Sequence, residues 1–185
     1  MRLRIFTVAA LFAPFCLAAS PKADASPSSQ VLAVQQPILL AKESWTQLSP
    51  KQGGFTVLMP GKPIEEKETD KSDDTTTESY TYTVETKEGA FLLGYTEFPS
   101  DISADDPQGL LDAAAEGLTQ DGGKLLRQRK ISLSNNPGRE VQYKNADGTT
   151  GTARIFVVKR RLYQLHAITP QTQDIKKFFD SFKFI

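Results

Sequence analysis

The chain has 185 residues, and its 22 basic and 22 acidic side chains give it a formal net charge of zero. Apolar residues make up 39% and charged residues 24%, which is the balance of one globular domain and excludes a disordered, coiled-coil or collagenous chain. Neutrality gives no electrostatic support for a dedicated nucleic-acid binder, and the single cysteine excludes a disulfide scaffold.

The first 25 residues have the layout of a secretory signal peptide. Two arginines lie within the first four residues, a largely apolar run covers 5–19, and Ala23 and Ala25 supply small residues before a cleavage point. Cleavage after Ala25 would remove three basic residues and one acidic residue, which leaves 160 residues with a formal net charge of −2. The sequence therefore predicts an exported protein with no transmembrane segment after cleavage.

The N-terminal region leaves two alternatives open. Cys16 would carry a lipid if the chain were a lipoprotein, but Phe15 stands where lipidation sites have a small residue, so a cleaved signal peptide is favoured. Residues 26–44 are rich in Ser, Gln, Pro and Ala, which predicts a flexible spacer. The apolar patches at 31–34 and 38–40 leave the alternative that this segment docks on the domain or on a partner.

A single folded domain is predicted over residues 45–185, and it opens with β structure. Apolar residues alternate over 55–59 between two glycine-containing turns, which predicts a half-buried strand. Residues 62–79 carry seven acids, three lysines and several threonines, a composition that indicates a solvated, mobile strand or loop. Strict alternation over 80–84 and a β-rich run over 91–98, joined by a turn, predict a hairpin.

The clearest helix comes next in the chain. Asp106 suits the N-cap, Pro107 suits the first helical position, and Gly122-Gly123 provides the end. The spacing of the apolar residues between them predicts a helix that packs one face on a sheet. That apolar stripe consists of Leu110, Leu111, Ala114, Ala115 and Leu118.

Four further β-rich runs follow the helix, at 125–133, 138–144, 152–159 and 162–169. The turns between them are predicted at 135–138, 145–148 and 160–161. The Asp-Gly pair in the second of these turns is a strong hairpin signal when it stands between alternating strands.

The last predicted element is a helix opened by Thr169-Pro170. Its apolar face consists of Ile175, Phe178, Phe179 and Phe182. The order of strands, helix, strands and helix, with mostly hairpin-length links between strands, predicts an α+β fold. We expect a mainly antiparallel sheet of about six to eight strands covered by two helices.

Four short motifs carry a family resemblance: GFTVLMPGKP at 54–63, PGRE at 137–140, RLYQL at 161–165 and FDSF at 179–182. Together they resemble a group of secreted, especially cyanobacterial, domains without an assigned activity. The order of elements is similar to the PsbP-like fold of photosystem II accessory proteins over roughly residues 45–185. The resemblance implies an α/β/α sandwich. The metal-binding residues of some PsbP-type proteins have no counterpart, because the chain has one histidine.

The chain offers little material for catalysis or metal binding. His166, the only histidine, is expected to be a structural or partly exposed strand residue rather than a catalytic base or zinc ligand. Neither a Gly-x-Ser-x-Gly motif nor a phosphate-binding glycine pattern is present. The acidic segments 70–74 and 101–106 lack the glycine that an EF-hand needs at its sixth position, so only weak divalent binding is expected there. We predict a non-enzyme without cofactor or specific metal.

One feature suggests a binding surface. Residues 124–139 contain five basic side chains and no acid, and the turn at 159–161 adds cations if the last strands pair as expected. An edge strand protected from aggregation by its charges is an equal alternative to a patch for an acidic protein surface or anionic headgroups. The candidate patch consists of Lys124, Arg127, Arg129, Lys130, Arg139, Arg160 and Arg161.

The leading functional hypothesis is an exported, non-enzymatic accessory or interaction module, acting as an assembly or scaffold factor for a membrane complex. By resemblance only, this complex is of photosystem type, and the location is the periplasm or thylakoid lumen, with the extracellular space as a further option. The expected partner is a protein or membrane-associated complex and not a nucleic acid. The alternative is a small-molecule or lipid carrier with a pocket between sheet and helix, and an enzyme comes third.

Overall fold

The computed structural model describes residues 44–72, 75–98 and 106–185. The predicted signal peptide with Cys16, nearly all of the predicted spacer, and most of the acidic segment 101–106 lie outside these residues. In the described ranges, none of the helices combines the length and the apolar character needed to cross a bilayer.

The described residues form ten strands and two helices. In chain order the strands are β1 (Thr46–Leu48), β2 (Phe55–Met59), β3 (Ile64–Ser72), β4 (Thr75–Thr86), β5 (Gly89–Glu97), β6 (Lys124–Leu133), β7 (Asn136–Lys144), β8 (Thr150–Val158), β9 (Arg161–Ile168) and β10 (Lys183–Phe184). The helices are α1 (Pro107–Gly117), between β5 and β6, and α2 (Thr172–Ser181), between β9 and β10.

Seven strands form one antiparallel sheet in the order β3-β4-β5-β9-β8-β7-β6. This confirms the α+β fold with a mainly antiparallel sheet of six to eight strands and two helices. The strand predicted at 55–59 forms, but it pairs with β1 and β10 in a separate three-stranded sheet. The sequence did not indicate this second sheet because β1 and β10 have only three and two residues, too few to show a period.

The large sheet has a helix packed on each face. Successive strand residues point to opposite faces, and Ile155 and Phe156 of β8 accordingly belong to different apolar clusters. On the α1 face, buried Leu111, Ala114 and Ala115 pack near Ile155. On the α2 face, α2 and the small sheet pack over Phe156, with Phe178 buried. These layers match the α/β/α arrangement implied by the resemblance.

The ends of the helices follow local chemistry. Asp106 caps α1 as expected, since its Oδ1 accepts a hydrogen bond from the Gly109 amide at 2.9 Å. Helix α2 begins at Thr172, two residues later than Pro170, with Gln171 at the N-cap. The hydroxyl oxygen of Thr169 accepts a hydrogen bond from the Gln171 amide at 3.2 Å, which forms a turn before the helix.

Two predicted turns are displaced toward the N-terminus. The β6–β7 turn is Ser134-Asn135, with φ of 50° and 64°, the conformation of a tight two-residue hairpin. Pro137 and Gly138 instead lie in β7, where pairing with β8 starts only at Gly138, so the missing Pro137 amide costs no hydrogen bond to β8. The β8–β9 turn is Lys159-Arg160, and Arg161 begins β9.

Most of the acid-rich segment 62–79 forms strand structure. Strand β3 pairs with β4 from Ile64↔Thr83 to Ser72↔Thr75, and its side chains from Ile64 to Lys71 are exposed. The composition left a strand and a loop open, and most of the described part of the segment forms a solvated strand.

Candidate functional site

Strand β6 is one edge of the seven-stranded sheet. It pairs with β7 and has no second neighbouring strand among the described residues. All seven side chains from Lys124 to Lys130 are exposed. The register with β7 shifts between Leu125 and Arg127, which marks a β-bulge. A long edge strand of this kind presents both unpaired backbone groups and side chains to the surroundings.

The backbone of β6 has a defined outward-facing set. The two-residue turn makes Leu133↔Asn136 the hydrogen-bonded closing pair, and hydrogen-bonded pairs alternate along an antiparallel ladder. The backbone amides and carbonyls of Arg129 and Ile131 therefore form hydrogen bonds to β7. Those of the alternate residues of β6 point away from β7. These outward-facing residues are Gln128, Lys130 and Ser132.

Three of the seven predicted patch cations are exposed and unneutralised on β6. Lys124, Arg127 and Lys130 make no salt bridge within the described parts of the chain. The alternation of the register places Lys130 on the α1 face and Arg127 on the α2 face, so both sides of the edge carry positive charge.

Arg129 has a structural partner of its own. Its Nε donates to Glu140 Oε1 at 2.8 Å, and Arg154 Nε donates to the other carboxylate oxygen at 2.8 Å. Desolvation raises the pKa of the Glu140 carboxyl, but the hydrogen bonds from Arg154 and Arg129 outweigh it and hold the pKa below its ordinary 4.5. The Arg154 guanidinium also lies 4.8 Å from the centre of the Phe179 ring. Arg129 therefore belongs to a network that links β6, β7, β8 and α2.

Arg139 does not contribute to an exposed surface. Its side chain is buried, with 5% relative exposure for the residue, and two of its nitrogens donate to Asp112 Oδ1 at 3.1 and 2.6 Å. A third nitrogen donates to Gln108 Oε1 at 2.9 Å. Both partners lie on α1, so Arg139 fixes this helix to β7.

Arg160 and Arg161 lie three strands away from β6, at or beside the start of β9. Both bind Glu97 on β5: Arg160 Nη2 donates to Oε1 at 3.1 Å, and Arg161 Nη2 donates to Oε2 at 2.9 Å. At about 4.8 Å per strand, β9 is about 14 Å from β6. The structure thus brings Lys124, Arg127, Arg129 and Lys130 together on β6. Arg139 lies opposite Lys130 on β7 but is buried against α1, and Arg160 and Arg161 are separated from the group.

Two apolar residues of the edge escaped the sequence reasoning. Leu125 and Leu126 are 46% and 55% exposed, beside the cations of β6. Strict alternation would bury one of two consecutive strand residues, but the bulge between Leu125 and Arg127 breaks the alternation. The signal available in the sequence was the pair of leucines flanked directly by Lys124 and Arg127.

His166 lies in β9 on the α1 face and is half-buried. Its Nδ1 is 3.2 Å from the Tyr143 hydroxyl. Burial lowers the pKa of His166 to about 4 and raises the pKa of Tyr143 to about 12, so both groups are neutral near pH 7. A neutral hydrogen-bonded pair fits the structural interpretation of this histidine better than a general base, whose pKa would lie near the working pH.

Among the described residues, no group of three or more His, Cys, Asp or Glu side chains is placed to hold a metal ion. Within these ranges some charged side chains of the sheet bind one another across neighbouring strands, as in Lys67–Glu78 at 2.7 Å and Arg161–Glu97 at 2.9 Å.

Comparison with known proteins supports the fold. No family model matches the sequence, and no curated protein matches it. The chain is similar to the solution structure of cyanobacterial PsbP (CyanoP) from Synechocystis sp. PCC 6803, with 13% identity and a TM-score of 0.50. The match covers 82% of this chain and 99% of that chain. This likeness confirms the PsbP-like fold resemblance and speaks for fold alone.

His166 makes a testable contribution to acid sensitivity. Because its pKa falls from 6.5 in the unfolded chain to about 4 in the folded one, the unfolded state binds more protons between these values. The free energy of unfolding should therefore decrease as the pH falls below about 6.5, by at most about 1.4 kcal/mol per pH unit. Urea unfolding of wild type and His166→Gln at about pH 7 and about pH 5 measures this contribution. Equal losses of stability in the two proteins would contradict it.

Proposed function

We propose that this chain is an exported, non-enzymatic interaction module that binds an acidic partner surface through β6. The observation that carries the proposal is the exposed edge strand with four cations and no acid, three of them without an ion pair in the described structure. Exposed charge that the protein does not neutralise itself is available to a partner, and it steers an oppositely charged surface to the site.

The packing between the sheet and α2 favours a binding surface over an internal pocket on that face. The space between the sheet and α2 is occupied by aromatic rings, with Phe178 5.4 Å from Phe91 and Phe182 6.0 Å from Phe156 between ring centres. The three phenylalanines of this helix region, Phe178, Phe179 and Phe182, are all buried. Such filling supports binding at the edge of the sheet rather than carriage of a ligand between sheet and helix.

The cellular role that fits these features is an accessory, assembly or scaffold factor for a membrane-associated complex. Export rests on the predicted signal peptide, and the periplasm or thylakoid lumen rests on the similarity to a cyanobacterial PsbP structure. A photosystem-type complex as the partner rests on the resemblance of the sequence to the PsbP-like accessory proteins of photosystem II.

Export has a direct test. Intact-mass spectrometry of native material should give a chain beginning at Ser26, because Ala23 and Ala25 fit the small-residue positions before a signal-peptide cut. A mass that includes a diacylglyceryl group on Cys16 would replace this prediction with a lipoprotein.

Charge reversal tests the binding surface. The variant Lys124→Glu, Arg127→Glu, Lys130→Glu should lose partner capture in an affinity pull-down from the native membrane fraction, since it turns the attraction into repulsion. Arg129 is left intact because a glutamate there would face Glu140 and disturb the fold. Capture by wild type should weaken as salt rises, because exposed charges are screened over about 8–10 Å at physiological ionic strength.

A matched control carries the same change in charge away from β6. Lys51, Lys62 and Lys87 are exposed, and their triple reversal to Glu should leave capture at the wild-type level. Thermal unfolding verifies that both variants are folded. If the β6 variant is folded and captures the same partners at wild-type levels, the proposal that these cations bind the partner is wrong.

A further inference from the structure

The two edges of the large sheet carry opposite charge. Strand β3, at the edge opposite β6, has four acids and two lysines in nine residues. Strand β6 has four cations and no acid in ten residues. Both edges also expose apolar side chains near their N-terminal ends: Ile64 of β3 is 69% exposed, and Leu125 and Leu126 are about half exposed.

The two edge strands, β3 and β6, run in the same direction. Six antiparallel pairings separate β3 from β6, so the two strands run parallel to each other across the sheet. Two copies placed side by side with the same face upward therefore bring β6 of one copy against β3 of the next, in parallel alignment. The outward-facing backbone groups of Gln128, Lys130 and Ser132 are available to continue the sheet.

In one register of this alignment, apolar side chains lie opposite apolar ones and acidic side chains lie opposite basic ones. Because of the bulge, Leu125 and Arg127 occupy consecutive positions of the ladder with β7. If Leu125 is counted as position zero, Arg127 is at position one and Lys130 at position four. Ile64, Glu65 and Glu68 of β3 occupy the same positions, counted from Ile64.

The faces match in the same register. Leu125 and Lys130 lie on the α1 face, as do Ile64 and Glu68 by their register with β4. Arg127 and Glu65 lie on the α2 face. Each proposed pair therefore joins side chains on the same side of the sheet: Ile64 with Leu125, Glu65 with Arg127, and Glu68 with Lys130.

The unfavourable contact in this register is already neutralised. Lys67 would meet Arg129, but Lys67 binds Glu78 at 2.7 Å and Arg129 binds Glu140 at 2.7 Å within one copy. Both cations bring their own carboxylate to the junction, so their mutual repulsion is reduced.

We propose that copies of this chain associate edge to edge, with β6 of one copy extending its sheet onto β3 of the next. The contact is heterologous, because each copy uses a different surface, and such contacts continue as open chains unless they close into a ring. The proposal goes beyond binding of an acidic partner at β6, because it also requires β3.

Sedimentation analysis of the exported protein tests self-association. The weight-average mass should rise with protein concentration and fall as salt is added. Two reversed variants should each remain monomeric: the β6 variant Lys124→Glu, Arg127→Glu, Lys130→Glu and the β3 variant Glu65→Lys, Glu66→Lys, Glu68→Lys. A mixture of the two should associate again, because the unchanged acidic β3 of one meets the unchanged basic β6 of the other. Loss of folding cannot produce this rescue.

A backbone variant separates strand pairing from simple charge attraction. Gln128→Pro removes an outward-facing amide without changing any charge, and proline is tolerated on an edge strand when its nitrogen faces outward. Its association constant should fall at least tenfold, which is about 1.4 kcal/mol. Wild type that stays monomeric at millimolar concentration, or mixed variants that fail to associate, would overturn the proposal.

The variants distinguish a failure of partner binding at β6 from a failure of edge pairing between copies. The β3 variant should lose self-association but still capture an acidic partner at β6. If it self-associates like wild type, edge pairing is wrong while partner binding stands. If wild type self-associates as described but the β6 variant captures partners normally, partner binding at β6 is wrong while edge pairing stands.

Discussion

The aromatic cluster around Phe55 holds the layers of this protein together. Phe55 is fully buried in β2, and four aromatic rings surround it with centres 5.7–6.1 Å away, those of Tyr82, Tyr95, Tyr163 and Phe182. Three of these rings belong to the large sheet, and the fourth follows α2 directly. The cluster therefore fastens the small sheet and the C-terminal helix to the same face of the large sheet, and large buried aromatic residues supply much of the stability of such a core.

This packing determines which surfaces remain for function. The α2 face is occupied by the aromatic cluster, and part of the α1 face is occupied by the helix that Arg139 and Asp112 fix to β7. An open sheet covered in this way still ends in two edge strands. In this chain both edges are long and charged, and charged side chains on an edge strand oppose indiscriminate edge-to-edge aggregation. In the function proposed above, protection of the edge and recognition of a partner both depend on the same cations on β6.

Periodicity explains why the sequence predicted most elements. The alternation of Phe55, Val57 and Met59 and the cap at Asp106 are local features, and both appear in the structure as expected. The grouping of the cations was only partly predictable, because it depends on tertiary contacts. Arg139 is buried because it binds Asp112, which lies 27 positions earlier in the chain. No local sequence pattern distinguishes Arg139 from Lys130, which is exposed.

Amide hydrogen exchange on β6 tests most directly whether the protein acts through this edge. In the free monomer, the outward-facing amides of Gln128 and Lys130 should exchange rapidly, while that of Arg129, bonded to β7, should exchange slowly. In the complex with a captured partner, we predict that exchange at Gln128 and Lys130 slows, while the amides of α1 are unchanged. Unaltered exchange along β6, together with new protection elsewhere in the domain, would contradict the account.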